Sequence, residues 1–207
     1  MDEIVKAALA KWPNVPACYG WLALDQRGQW RMRDAACQAA GLAGEVIRHP
    51  ALLEFIERNY QCDQQGCWYF QNGPQKVYVN LSSAPYILRL QRLDNGELQA
   101  RLHDGQSVPT PVRLAMTQTG QLLLGWDSAF AALDDRDLQH LCSALMSQNG
   151  VASDAEIVAW LDSEGAAQAL HVRLAQHDYP LSYATNSAWF KLYQFQASPL
   201  AHSDTPQ

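Results

Sequence analysis

One short turn sequence recurs in this chain, and it constrains the fold more than any other feature. It reads DQRGQW at residues 25–30, DQQGCW at residues 63–68 and TQTGQL at residues 117–122. In each copy Gly lies two residues after Gln, between segments that alternate apolar and polar residues, as in a short β-hairpin loop with one residue at positive φ. The Asp or Thr that opens the turn can accept a hydrogen bond from the backbone two residues further on. The sequence therefore predicts a chain rich in tight hairpins.

The likeness between the first and third copies extends into the strand before the turn. LALDQRGQ at residues 22–29 aligns with LAMTQTGQ at residues 114–121, and each hairpin is followed by a predicted helix. We expect two similar hairpin-helix units in which Gly28 and Gly120 are equivalent, so that residues 22–60 superpose on residues 114–146. The alternative is convergence, because short hairpins use few residue types.

The predicted fold class is α+β, with antiparallel β-meanders and hairpins covered by helices. Apolar periodicity and capping residues predict helices near residues 2–12, 50–59, 134–146 and 153–162. The central region, with turns at Asn72-Gly73 and Asn95-Gly96, is predicted to be an antiparallel meander with one solvated face. The two prolines around Thr110 suggest domains at residues 1–110 and 111–207, or one continuous compact domain.

Composition and charge limit the possible partners. With 48% hydrophobic and 17% charged residues, the 207-residue chain has ample material for a packed core. Residues 1–113 contain 12 Lys and Arg against 11 Asp and Glu, whereas residues 114–207 contain 3 against 10. The acidic second half makes a nucleic-acid partner unexpected.

The absence of certain sequence features predicts the cellular location of the protein and the redox state of its cysteines. There is no run of about 18 apolar residues, and the N-terminus has neither the basic start nor the apolar core of a secretory signal. The five cysteines are odd in number and irregularly spaced, which fits reduced thiols better than a disulfide framework. We therefore expect a cytoplasmic protein that is not bound to a membrane.

No familiar catalytic or cofactor-binding motif is present. The sequence contains no G-x-S-x-G, P-loop, G-x-G-x-x-G or H-E-x-x-H pattern. Cys62 and Cys67 are too far apart for a zinc knuckle and have no second cysteine pair, so neither a metal nor a cofactor is predicted. A non-enzymatic binding module is the favoured function. The alternative is an unfamiliar enzyme with a site between the two halves, formed by Arg48, His49, Lys76 and an acid from the second half.

The segment WYFQNGPQKVYV at residues 68–79 is the most polar and aromatic of the predicted hairpins. Aromatic rings next to amide groups make good binding surfaces for a small molecule or a protein. Strand alternation places Val77 and Val79 on one face and Lys76 and Tyr78 on the other, with the buried aromatics under the helix at residues 50–59. An amphipathic hairpin with its aromatics in the core is the alternative explanation. The candidate ligand- or partner-binding residues are Arg48, His49, Asn72, Gln75, Lys76 and Tyr78.

Three segments, KWPNVPACYGWLALDQRGQWRMRD, GEVIRHPALLEFIERNY and GCWYFQNGPQKVYVNL, resemble a family of proteobacterial proteins known only as a domain of unknown function. The order of their motifs is also similar to a second uncharacterised family, which has a mixed α/β fold with repeated motifs and a suggested role in signalling. The resemblance covers about the first 95 residues. It implies an intracellular bacterial α+β protein of repeated units, and it supplies no catalytic residue.

Overall fold

The computed structural model describes residues 1–110, 113–127 and 129–200, and its helices and strands confirm the α+β class. The helices within these residues are α1 (Glu3–Lys11), α2 (Ala35–Ala39), α3 (Pro50–Arg58), α4 (Leu138–Ala144), α5 (Asp154–Asp162) and α6 (Asn186–Leu192), with a 3-10 turn at Asp135–Asp137. No helix within the described ranges is long and apolar enough to cross a membrane.

The described residues form fifteen strands. They are β1 (Cys18–Leu24), β2 (Trp30–Met32), β3 (Glu45–Val46), β4 (Tyr60–Cys62), β5 (Trp68–Asn72), β6 (Gln75–Leu81), β7 (Tyr86–Arg92), β8 (Leu98–Leu102), β9 (Arg113–Thr117), β10 (Leu122–Trp126), β11 (Ala129–Leu133), β12 (Leu145–Ser147), β13 (Gly150–Val151), β14 (His171–Leu174) and β15 (His177–Ala184).

The chain divides into two compact units. Unit 1 consists of Met1–Asp25, Gln29–Ser83 and the segment that begins at Gln194, and unit 2 consists of Gln26–Gly28 and Ala84–Tyr193. Thr110, where the sequence suggested a domain boundary, lies inside unit 2, and residues 111 and 112 are outside the described ranges.

Unit 1 contains a six-stranded sheet in the order β3-β2-β1-β6-β5-β4. The strand β1 pairs antiparallel with β2 and parallel with β6, so that Leu22 lies opposite both Met32 and Val79. The helix α3 packs on β5, where Phe55 makes an edge-on ring contact with Phe70 at 5.3 Å between centroids. We call the α3-covered side of this sheet the inner face and the opposite side the outer face.

The inner face of unit 1 holds the predicted aromatic core. Trp68 is 6% exposed, and its ring lies 4.8 Å from that of Tyr60. Tyr60 in turn contacts Trp30 edge-on at 5.1 Å. The prediction that one set of the hairpin aromatics packs under the helix at residues 50–59 is confirmed by the contact between Phe70 and α3.

Unit 2 contains a nine-stranded sheet in the order β13-β12-β14-β15-β9-β10-β11-β7-β8. Its central strands β10 and β11 are buried along almost their whole length. On one side, Trp189 and Phe190 of α6 and Tyr193 just after it all contact Phe130. Gly125 in β10 allows this approach, since a Cβ atom there would lie 1.9 Å from the Tyr193 hydroxyl oxygen.

The strands between residues 68 and 102 differ from the continuous meander expected from the sequence. They form two hairpins, β5-β6 and β7-β8, which belong to two different sheets. The sheets also contain three parallel pairs, β1-β6, β7-β11 and β9-β15, joining segments that are distant in sequence. Local alternation predicts that a segment is a strand but carries no information about a distant neighbour.

The three repeated turn sequences adopt one backbone geometry. The residue that opens each turn donates its backbone N–H to the carbonyl four residues later, at 3.1 Å from Asp25, 3.0 Å from Asp63 and 2.9 Å from Thr117. The side-chain oxygens of the same residues accept from that later residue's N–H. The Gly at the fourth position has φ between +73° and +80° in all three. The predicted hairpin turns are confirmed.

The same backbone hydrogen bonds also occur in two turns with different sequences. Leu93 donates to the carbonyl of Glu97 at 2.8 Å, and Leu102 donates to that of Gln106 at 3.0 Å. The turn geometry alone therefore does not distinguish duplication from convergence.

The strand pairing of the two units corresponds over six strands. Unit 2 contains β11-β10-β9-β15-β14-β12, in which β9 pairs antiparallel with β10 and parallel with β15, as β1 does with β2 and β6. Leu114 lies opposite Leu124 and Leu181, just as Leu22 lies opposite Met32 and Val79. The helix α3 precedes β4 as α4 precedes β12. Among the described residues, α1 and α2 have no counterpart in unit 2, and β7, β8, β13, α5 and α6 have none in unit 1.

Candidate functional site

The outer face of the unit 1 sheet is the candidate site. Side chains alternate along β6, so Lys76, Tyr78 and Asn80 project to the outer face while Val77 and Val79 project inward. Lys76, Tyr78 and Asn80 are each partly exposed, whereas Val79 is fully buried. This sheet surface therefore presents polar and aromatic groups to solvent.

Three tyrosines form the centre of this surface. Tyr19 of β1 stacks on Tyr78 with 4.7 Å between ring centroids and 13° between ring planes. Tyr69, which pairs with Tyr78 across β5 and β6, approaches the same ring edge-on at 5.8 Å. The parallel pairing of β1 with β6 produces this cluster, because it places Tyr19 next to a residue far along the chain.

Asp63 holds the cluster to the second copy of the repeated turn. Its Oδ1 accepts from the backbone N–H groups of Gln65 and Cys67, both at 2.9 Å. Its Oδ2 accepts from the Tyr78 hydroxyl at 2.9 Å. One carboxylate thus closes the β4-β5 turn and orients the central tyrosine of the outer face.

Lys76 supplies positive charge beside the tyrosines. Its Nζ lies 4.6 Å from the centre of the Tyr69 ring, within the range of a cation–π contact. No ion pair to Lys76 is found among the described residues. The ammonium group is therefore placed by an aromatic ring and keeps its charge available to a ligand.

The phenols and thiols near the outer face are held in their protonated forms. Burial raises the pKa of Tyr78, and the hydrogen bond to Asp63 raises it further. Burial also raises the pKa of the Cys67 thiol, with a smaller contribution from the charge of Asp63. A thiol with a raised pKa is not a thiolate at neutral pH, and only the thiolate is a good nucleophile. These groups are suited to packing and hydrogen bonding rather than to nucleophilic catalysis.

A cavity of about 260 Å³ lies on the same side of the sheet. Its polar lining includes Arg31, Arg33 and Asn80, and the loop at residues 41–43 and Ser198 contribute to its wall. Arg31 is fully engaged, since it pairs with Asp25 at 2.7 Å and donates to the carbonyl oxygen of Gly44 at 3.0 Å. We call this space the outer-face cavity.

The structure brings together only some of the residues predicted to form the site. Lys76 and Tyr78 both contact Tyr69 on the outer face. Gln75 faces the other way along the strand, and its Nε2 donates to the carbonyl oxygen of Pro16 at 3.0 Å. Asn72 lies opposite Gln75 at the end of the hairpin and is exposed.

Arg48 and His49 belong to a different part of unit 1. They are exposed, and His49 is the N-cap residue of α3, which begins at Pro50 after the edge strand β3. No hydrogen bond, ion pair or ring contact within the described residues joins them to Lys76 or Tyr78. Arg48 and His49 are therefore not part of the outer-face cluster.

Several residues of the outer face were not predicted from the sequence. Asp63 was visible as the first residue of a repeated turn, but its partner Tyr78 is 15 residues away. Arg31 in β2 and Arg33 just after β2 could have been placed on one side by alternation, yet nothing local shows that β1 and β6 bring Asn80 to the same side. Among the described residues, no group of three or more His, Cys, Asp or Glu side chains could hold a metal ion.

Comparison with known proteins gives a family but no activity. A solved structure of a DUF1285 family protein from Silicibacter pomeroyi DSS-3 is similar at 14% identity and a TM-score of 0.49, covering 88% of this chain and 96% of that one. A DUF1285 family protein from Shewanella baltica OS155 is similar at 11% identity and a TM-score of 0.35, covering 58% and 88%. No curated protein matches.

The family assignment comes from the sequence of nearly the whole chain. The model of a family described as "Protein of unknown function (DUF2946)" matches residues 1–200. The chain therefore belongs to this family of proteins of unknown function.

Proposed function

We propose that this chain is a non-enzymatic binding module whose contact surface is the outer face of the unit 1 sheet. The observation that carries the proposal is the partly exposed Tyr19–Tyr78 stack with the ammonium of Lys76 beside it. Stacked aromatics with a polar rim present a large, rigid contact area at a low cost in conformational entropy. The raised pKa values of Tyr78 and Cys67 support binding rather than catalysis.

The charge of the outer face supports a ligand or partner that carries a negative group. Arg31, Arg33 and Lys76 contribute three positive charges, and Asp25 and Asp63 contribute two negative ones. Because Asp63 is already engaged with Tyr78, and Asp25 with Arg31, the positive groups open to a partner are those of Arg33 and Lys76. A small molecule or protein segment with a negative group and an apolar or aromatic body fits this surface.

A thermal-shift screen of the wild-type protein against metabolites and nucleotides tests the proposal. A ligand that binds the native state raises the unfolding temperature by mass action. Lys76→Ala should weaken the response to such a ligand by about tenfold or more, and should change the unfolding free energy by no more than about 0.5 kcal/mol, as for a typical surface substitution. Arg48→Ala, on another part of unit 1, is the matched control and should keep the full response.

The screen also has a result that excludes this surface. If a ligand stabilises the wild type and Lys76→Ala equally, while Arg48→Ala loses the response, the binding surface is at the start of α3 instead.

We propose further that the module acts inside a bacterial cell in regulation or signalling. The described cysteines Cys18, Cys37, Cys62, Cys67 and Cys142 are all free thiols, which supports a reducing compartment such as the cytoplasm. A binding module without a catalytic group can affect other molecules through the difference between its ligand-free and ligand-bound states. The proposed signalling role rests on that difference.

We also propose that the two units arose by duplication of a hairpin-helix unit. The matching order and register of six strands support this, since convergence on a turn type does not require the same parallel partner in both sheets. Superposition of residues 22–60 on residues 114–146 tests the idea. Helices that cover different faces of the two sheets would favour convergence.

A further inference from the structure

We infer that the outer-face cavity binds the carboxylate group of a small organic acid, an inference that rests on the proposed binding function and specifies its ligand. The wall of this cavity contains hydrogen-bond donors that have no partner among the described residues. Within the described residues, Arg33 uses only its Nε, which donates to the carbonyl oxygen of Leu42 at 3.0 Å. Arg33 lines the cavity, and its two terminal amino groups make no hydrogen bond to a described residue.

Other polar groups in the wall are also without a partner among the described residues. The side chains of Asn80, Ser82 and Ser198 line the cavity and make no hydrogen bond there. Together with the Arg33 fork, they can donate to several acceptor oxygens on one group. A guanidinium with two parallel donors matches a planar carboxylate, which it can bind in a bidentate manner.

The charge of the wall favours a monoanion. Arg31 and Arg33 contribute two positive charges and Asp25 one negative charge, so the ionised groups of the lining carry a net charge of +1. Since Arg31 is neutralised by Asp25 at 2.7 Å, Arg33 is the group left to pair with a ligand. A carboxylate matches this single charge, whereas a phosphate dianion would also meet the nearby carboxylate of Asp25.

The size and apolar lining describe the rest of the ligand. About 260 Å³ is below the usual volume of pockets for drug-sized molecules and suits a body of few atoms. Ala23, Leu42 and Ala43 supply apolar wall next to the polar groups. A short aliphatic chain can lie against them while its carboxylate reaches Arg33.

Titration of the ¹⁵N-labelled full chain with butyrate, followed by two-dimensional NMR at constant ionic strength, tests the inference. Binding should be weak, because a ligand with so few atoms makes few contacts. Saturable shifts should be confined to the amides around Arg33, Leu42, Asn80 and Ser82. Butyramide, which has the same shape without the charge, should produce no saturable shift, and inorganic phosphate should bind more weakly than butyrate.

Two variants and one control test whether the positive charge of Arg33 in the cavity wall binds the carboxylate of butyrate. Arg33→Gln should weaken butyrate binding about tenfold or more, as expected for loss of a charged hydrogen-bond donor. Asn80→Asp should have a similar effect by placing a second carboxylate in the wall, and it tests the cavity if Arg33→Gln fails to fold. Arg101→Gln removes the same charge from an exposed position in β8 of unit 2 and should bind butyrate like the wild type.

Several outcomes would overturn the inference: no saturable shift with butyrate, equal shifts with butyramide, tighter binding of phosphate, or unchanged binding by Arg33→Gln or Asn80→Asp. If butyrate fails but the thermal-shift screen finds a ligand whose effect depends on Lys76, only the cavity assignment is wrong. If both fail, the outer face is not a binding surface for small molecules.

Discussion

At the scale of the residue, Gly66 is required for two independent reasons. Its φ is +80°, in the left-handed region, and a Cβ atom there would lie 1.7 Å from the backbone oxygen of Gln194. The two segments approach closely because the N–H of Gln196 donates to the carbonyl oxygen of Gly66 at 3.1 Å. Gly120, at the same position in the third copy of the turn sequence, has nearly the same φ, +75°, but no heavy atom within 4 Å of where a Cβ atom would lie. The same turn sequence is therefore under different packing constraints at the two sites.

We predict that Gly66→Ala is clearly more destabilising than Gly120→Ala. In both variants the free energy of unfolding should fall by about 1–2 kcal/mol, because alanine is strained in the left-handed backbone conformation. Gly66→Ala should lose about 1–3 kcal/mol more, because the chain around Gln194 must shift to admit a methyl group. Urea unfolding of the two variants and the wild type measures the difference, and equal losses would contradict the close approach.

At the scale of the element, a buried acid pair fixes the beginning of α4 to β7. Asp134 is fully buried, its N–H donates to the carbonyl oxygen of Leu88 at 3.0 Å, and its side chain binds Arg136. Asp137 accepts from Arg89 at 2.8 Å and from the N–H of Leu90 at 2.9 Å. Burial raises the pKa of Asp134, but hydrogen bonds from Arg136 outweigh that effect and lower the pKa from 3.8 to about 2.

This pKa predicts how Asp134→Asn depends on pH. A carboxyl group whose pKa is lowered by folding stabilises the native state above its ordinary pKa of 3.8, and that contribution is lost as pH falls through the folded value of about 2. At pH 7 the free energy of unfolding of the variant should therefore be lower than that of the wild type by on the order of 2 kcal/mol or more. This difference in unfolding free energy, the gap to the wild type, should narrow as the pH is lowered from about 4 toward 2.

Denaturant unfolding at several pH values measures that gap. Asp135→Asn changes a neighbouring but exposed carboxylate and should alter the unfolding free energy by no more than about 0.5 kcal/mol. A gap between Asp134→Asn and the wild type that stays constant down to low pH would show that Arg136 does not stabilise the ionised form.

At the scale of the whole molecule, the end of the described chain completes the first unit. Phe195 is 7% exposed, and the N–H of Leu81 donates to the carbonyl oxygen of Ala197 at 2.8 Å. A parallel bridge also joins Cys67 to Gln196. Unit 1 is therefore assembled from segments that are separated by most of the sequence.

We predict that Phe195→Ala destabilises unit 1 by about 3–5 kcal/mol, the usual loss for truncating a buried Phe. Because Ala197 would be held less firmly, amide hydrogen exchange at Leu81 should become faster. Leu200→Ala, at a position that is 81% exposed, is the control and should leave both the stability and the exchange of Leu81 close to those of the wild type. Unchanged exchange in Phe195→Ala would mean that the segment is not held by this side chain.

Much of the secondary structure and part of the candidate site could be read from the sequence. The spacing around Pro50 predicted α3, the Asn72-Gly73 pair predicted the β5-β6 hairpin, and alternation placed Lys76 and Tyr78 on one face. These features depend on capping, turn geometry and side-chain alternation, which act over a few residues. Arg48 and His49 were grouped with this hairpin on sequence alone, and the structure does not bring them into contact with it.

Local sequence alone predicts where the hairpins turn, which turn positions need glycine, and which side chains share a face of a strand. Three features follow only from contacts between distant segments: β1 lies parallel to β6, β6 and β7 belong to different sheets, and residues 194–200 return to unit 1. The Tyr19–Tyr78 stack and the outer-face cavity depend on those features. The physical reason is that the choice of a strand's neighbour is governed by burial and backbone pairing between distant segments, for which many strands of similar pattern compete.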